Sequence, residues 1–335
     1  MGQMRALLLI GFAASVKGLS KILGSPLALL FGYAGWMWVL RNYQDHGLLH
    51  LTCVAAAIAA GKWLADQDST PRWIVWLGAA QAVFGLAQWA GWNPWGYVNA
   101  WELGKPTAFM GQETTLGAFL AAALAPALFT RRYFSAATIF ACILATKSSM
   151  SVAAGGAVAL IWLYTIWPVH ACALATFGLL IAAGGVAFRP HDPIFAMNLR
   201  EYLWQLGLDA YRERPIFGWG PGSWQDRRVL FRGVWVSYVH SEPIELLAEY
   251  GRVGGVLALL ALARFLDRWR FTWHHAMVVG LLVNSIGNFT FHLAASGTLF
   301  LLGWILSERR GRIEGCVSSC LLLSLRSYCT RWLGR

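Results

Sequence analysis

The sequence predicts an all-α fold, a polytopic bundle of membrane-spanning helices, and three observations predict it. The 335-residue chain is 57% hydrophobic and only 13% charged, with a mean hydropathy of +0.51; a soluble domain carries more polar surface than this. Apolar runs of about 15–20 residues recur from end to end, the length that a helix needs to cross a hydrocarbon core. The chain also holds 19 Trp and 10 Tyr, whose amphipathic rings favour the membrane–water interface. One integrated bundle over residues 1–335 accounts for this pattern better than several domains.

Taken in order, the runs place spans at Ile22–Leu40, Leu48–Ala65, Trp73–Gly91, Glu113–Phe129, Tyr133–Thr146, Met150–Trp167, Ala171–Phe188, Arg252–Leu266, His274–Gly287 and Phe291–Leu306. Ala6–Val16 adds a further span or lies in the interface. The first 16 residues resemble a signal peptide but lack a cleavage site. Basic residues mark the inner ends. Arg131 and Arg132, then Arg264, Arg268 and Arg270, then Arg309, Arg310 and Arg312 all fall on one side, with Lys62 and Arg72. Residues 189–250 then form one large loop on the opposite side, and residues 311–335 form a basic tail on the inner surface. The net charge of +11 reflects topology and anionic lipid rather than nucleic acid. None of the six cysteines shows metal-ligand spacing, so neither a zinc site nor a disulfide framework is expected.

The large loop breaks the positive-inside trend. It carries Arg189, Arg200, Arg212, Arg214, Arg227, Arg228 and Arg232, balanced by acidic residues. Apolar spacing at Leu199, Leu203, Leu206 and Ala210 predicts a helix over Met197–Tyr211, ended by Arg214-Pro215. Arg200 lies near its start, and Arg212 and Arg214 flank its end. Arginine forks suit a departing diphosphate, because they meet phosphate oxygens bidentately and stay charged. A solvated, salt-bridged loop face accounts for each single arginine at least as well. Gly218-Trp219-Gly220-Pro221-Gly222 reads as a structural turn, since it lacks the strand–turn–helix context of a phosphate loop.

At the end of the loop, Ser241 occupies an N-cap position, with Glu242 and Pro243 in the first turn and Gly251 as C-cap. His240 therefore stands at the start of an interfacial helix, where a neutral imidazole can take a proton from a sugar hydroxyl. From spacing alone, an ordinary interfacial histidine is the simpler reading. Lys147, in Thr146-Lys147-Ser148-Ser149, either joins the arginines or snorkels to the interface. Asn288 and His292 line an outer cavity or serve as packing glue between helices. Paired carboxylates at catalytic spacing and an acidic cluster for Mg²⁺ are missing from the sequence, which argues against a metal-dependent glycosyltransferase.

These residues resemble the O-antigen ligase-like family, which includes O-antigen ligases, Wzy-type polymerases and protein O-oligosaccharyltransferases. The ligase marker is His, then Asn, Ser or Gln, then nine residues, then Gly-x-x-Gly; here it is His240-Ser241, nine residues, then Gly251-Arg252-Val253-Gly254. Looser matches are Met110-Gly111-Gln112, which lacks the usual Asn, Thr146-Lys147-Ser148, and Arg200 to Gly222. The resemblance covers residues 112–306. It implies a multi-pass protein of the bacterial inner membrane, with its site facing the periplasm and no cofactor or metal. The donor it implies is a polyprenyl-diphosphate (undecaprenyl diphosphate) glycan. The acceptor is lipid A-core, a growing glycan or a protein. His240 would be the catalytic base and Arg200 would bind the donor diphosphate, helped by Arg214, Arg212 or Lys147. The family's second arginine is Ser149 here. The competing class is a transporter or lipid flippase.

Overall fold

The computed structural model describes residues 27–31, 33–34, 37, 46–92, 105–175, 195–226, 229–231, 234–236, 238–288, 290–292 and 295–308. The expected span Ile22–Leu40 and the second half of Ala171–Phe188 lie largely outside these residues. Ala6–Val16, Arg227, Arg228, Arg232 and the tail 311–335 lie outside them as well.

The described chain is helical, as the apolar periodicity demands. The helices with described bounds are α1 (His46–Ala65), α2 (Thr70–Trp89), α3 (Glu113–Phe129), α4 (Tyr133–Ala145), α5 (Ser149–Ile166), α6 (Phe195–Glu213), the single turn α7 (Ser223–Asp226), α8 (Glu242–Asp267), α9 (Trp273–Ser285) and α10 (Ala295–Glu308), and residues 27–31 and 168–175 are helical as well. A three-residue hairpin pairs β1 (Val229–Phe231) with β2 (Val234–Val236). Two helices, α5 and α8, are long and apolar enough to cross a membrane by length and composition; α3, α4 and α10 are apolar but shorter.

The centre of the bundle is α3, buried from Glu113 to Leu128 and packed by α2, α4, α5 and α9. Its alanines let neighbours approach closely, and a Cβ added at Gly280 of α9 would meet Val158 of α5 at 2.7 Å. A second apolar cluster joins α1, α8, α9 and α10 through Ile58, Phe265, Val278 and Trp304. A third, smaller core belongs to residues 195–250 alone. It is built from Leu203, Ala210, Trp224, Val236, Val239 and Ala248.

These packings separate the two ends of the bundle. At one end, Arg264 and Arg268 of α8 close on Glu308 of α10 at 2.9 and 2.6 Å, with the α3–α4 turn at the same end. At the other end lie Glu113, Ser149, Ser285 and the start of α8. The basic loops and the large loop therefore occupy opposite ends.

The structure agrees with the sequence reading at Gly251. The interfacial helix ends there and the span begins at Arg252, so that α8 is two helical segments joined at Gly251, whose φ of 61° and ψ of −160° belong to glycine alone. The break survives because the preceding loop fills it. Arg252 N–H donates to Pro215 O (2.8 Å) and Val253 N–H to Ile216 O (3.2 Å), while Trp219 N–H donates to Ala248 O (3.1 Å) and Gly220 N–H to Glu249 O (2.7 Å). The amides of Gly218, Trp219 and Gly220 are thus taken by main chain, as a structural turn requires.

Candidate functional site

The site grows from the end of the bundle where three chain segments meet. The first is α6. Arg200 and Trp204 stand one turn apart on one face of it, and Trp204 donates its indole N–H to His240 O at 3.3 Å. The second is the loop into α8. Val239 N–H donates to the Glu245 carboxylate at 3.1 Å, and this holds His240 in left-handed backbone, φ 58°. That conformation is uncommon for a residue with a Cβ, and such positions gather at functional sites. The third is the turn after α9, where Asn288 accepts from Arg200 at 3.5 Å.

Behind Asn288, a chain of polar side chains runs into the bundle. Asn288 donates to Asn284 Oδ1 (3.1 Å), as does Thr290 (2.9 Å); Asn284 donates to Ser151 Oγ (3.3 Å), and Ser151 donates to Ser148 Oγ (2.9 Å). Asn284 and Ser151 are fully buried. The last turn is also tied to α8, since Phe291 N–H donates to Glu242 at 2.6 Å. On the opposite wall, Gln81 and Gln88 of α2 accept the N–H groups of Thr107, Ala108 and Phe109. This strap delivers Lys105 to Glu113, 3.5 Å away, in the first turn of α3.

The electrostatics follow from burial. Desolvation pushes the His240 imidazole down to about 4, the Arg200 cation pushes the same way, and Glu245 opposes both. His240 is therefore a neutral base at pH 7. Burial also lowers Arg200 from its ordinary value while Glu113 raises it; a guanidinium keeps its charge under such a shift. Arg200 has five N–H donors, yet among the described residues its hydrogen bonding is a single long contact to Asn288. A part-buried guanidinium without a carboxylate partner is suited to an anion. Among the described residues, no three His, Cys, Asp or Glu gather as metal ligands would.

The structure brings His240 and Arg200 together and separates the other arginines from them. Arg214 stacks on Trp219 at 3.7 Å, about 20 Å along α6 from Arg200 at 1.5 Å per residue. Arg212 is exposed and pairs with Asp209 one turn back at 2.6 Å. Neither reaches a group that lies against Arg200, because both lie at the far end of α6. Lys147 is exposed, at φ 55°; its neighbours Thr146 and Ser148 make the hydrogen bonds of that turn. Ser241 is the N-cap of α8 by backbone, but its hydroxyl makes no capping bond. Gly251 and Gly254 are structural: a Cβ on Gly251 would collide with Ile216 O, and one on Gly254 with the Tyr250 side chain. The side chain of His292 lies outside the described residues.

No family model and no curated protein matches the chain. Sequence reasoning missed Glu113, Lys105, Asn284 and Ser151 as parts of this site. The available signal for Glu113 was a lone carboxylate opening an otherwise apolar span, next to Met110-Gly111-Gln112. Asn288, read as possible packing glue, does pack helices, and it also holds Arg200.

Proposed function

We propose that this chain is an O-antigen ligase-like glycan transferase of the bacterial inner membrane. In this reading it is a multi-pass protein of about ten spans, working without metal on the periplasmic face. The donor is a polyprenyl-diphosphate glycan, and the first acceptor is a hydroxyl of lipid A-core. The observation that carries the reading is a neutral, half-buried imidazole beside a part-buried arginine whose fork is occupied by no carboxylate among the described residues.

The chemistry assigns each group a task. His240 takes the proton of the acceptor hydroxyl as its oxygen forms a bond to the anomeric carbon. The bond between that carbon and the diphosphate oxygen breaks, and the electron pair leaves with the diphosphate. Arg200 meets the charge that develops there. The helices present their apolar faces to the polyprenyl chain.

Purified protein incubated with a polyprenyl-diphosphate glycan and lipid A-core tests this. Transfer in the presence of chelator, lost in His240→Ala, is the expected result. Transfer that survives the substitution removes His240 as the base. No transfer to lipid A-core, to a growing glycan or to protein by the wild type overturns the reading.

A further inference from the structure

We propose that Glu113 reads the glycan: its second carboxylate oxygen accepts a hydrogen bond from the sugar joined to the diphosphate. The inference rests on the transferase reading above, and on a feature which that chemistry does not use. Glu113 is buried at the start of α3. Lys105 holds Oε1 at 3.5 Å, and Oε2 is buried with no hydrogen-bond partner among the described residues. Buried polar atoms without partners are rare, and a charged one is costly to keep. A ligand that completes the oxygen removes the cost.

The position defines the ligand. Gly117, one turn on from Glu113 in α3, packs directly on Ser151, the inner member of the hydrogen-bond chain that runs through Asn284 and Asn288 to Arg200. Glu113 thus opens the helix on which that chain rests, at the same end of the bundle as Arg200, and no ion pair joins the two among the described residues. Its carboxylate is an acceptor only. A diphosphate, also an acceptor, cannot bond to Oε2, whereas a sugar hydroxyl or an acetamido N–H can. Lys105 offsets the charge of the carboxylate, so that it can stand near a diphosphate with little repulsion. Cation and carboxylate thus sort the two halves of one donor, Arg200 taking the diphosphate and Glu113 the sugar.

The test compares two lipids on the full-length protein in detergent: undecaprenyl diphosphate, and the same lipid carrying a glycan. In Glu113→Gln, the amide oxygen stays with Lys105 and the NH₂ replaces Oε2, so an acetamido N–H meets a donor, and a sugar hydroxyl loses a charged acceptor for a neutral donor. The expected result is a loss of about tenfold or more in affinity for the glycosylated lipid, with affinity for the bare lipid unchanged. Equal weakening for both lipids would mean that Glu113 acts through Arg200, and would overturn the proposal. So would unchanged binding of both. If the wild type binds neither lipid, the transferase reading falls and this inference with it. Glu113→Asp, which keeps the charge but withdraws the oxygen by one methylene, gives the same selective loss and stands in if the Gln variant does not fold.

Discussion

His240 combines two properties that seldom meet, strained backbone and a depressed basicity, and both follow from its seat between α6 and α8. Its titration has a defined sign. The folded state binds a proton only near pH 4, whereas the unfolded imidazole binds one near 6.5. The group leaves stability unchanged above about pH 6.5 and lowers it as the pH falls towards 4. The acid limb of kcat/KM is expected near pH 4, with no decline through 6.5; a pH–rate profile checks this. His240→Ala is expected to reduce transfer by about 10²–10⁴-fold. Arg200→Gln is expected to reduce kcat by about 10²–10³-fold, measured under saturating donor. The sequence singled out both residues, through a short motif and a helix start, and the structure puts them at one place. Glu113 and Asn284 were not legible. Their positions near that place arise from packing among α3, α5 and α9, and no spacing along the chain encodes such contacts.

At the scale of elements, apolar periodicity located the helices well. The expected Glu113–Phe129 is the observed α3, and the ends of α4, α5 and α9 differ by a residue or two, within the fraying of any helix. The break at Gly251 was legible, but the loop that fills it was not. Glycine after an amphipathic turn signals a C-cap, and the sequence cannot say that a loop 35 residues upstream (Ile216) will supply the carbonyl that lets the helix resume. Gly251→Ala is expected to destabilise the protein by about 3 kcal/mol, since its Cβ would meet that carbonyl in a backbone conformation closed to alanine; thermal unfolding in detergent reads it. The contrast is Arg212→Ala. Its exposed pair with Asp209 is worth well under about 1 kcal/mol, and it stands far from Arg200, so stability and transfer should both stay close to wild type. Arg212 and Arg214 entered the sequence reading by charge alone, and their neighbours Asp209 and Trp219 decided their places.

At the scale of the whole molecule, the basic loops and the His240 segment occupy opposite ends of one bundle. With the proposed orientation, Arg212→Cys in intact spheroplasts should react with a membrane-impermeant maleimide, and Arg131→Cys should react only after lysis. The reverse pattern would invert the topology. All-α character and the two-ended charge arrangement were legible in composition. The small core of residues 195–250 was not, because its apolar residues are dispersed among arginines and glycines and come together only when α6, α7, the hairpin and α8 fold over one another. That core meets the helical bundle at a seam, crossed by Arg200 on Asn288 and by Phe291 on Glu242. An anion lodged there would behave as an adhesive between two separately packed bodies. Its arrival should slow amide exchange in α6 and in the turn after α9 together, although no residue of one lies within the other.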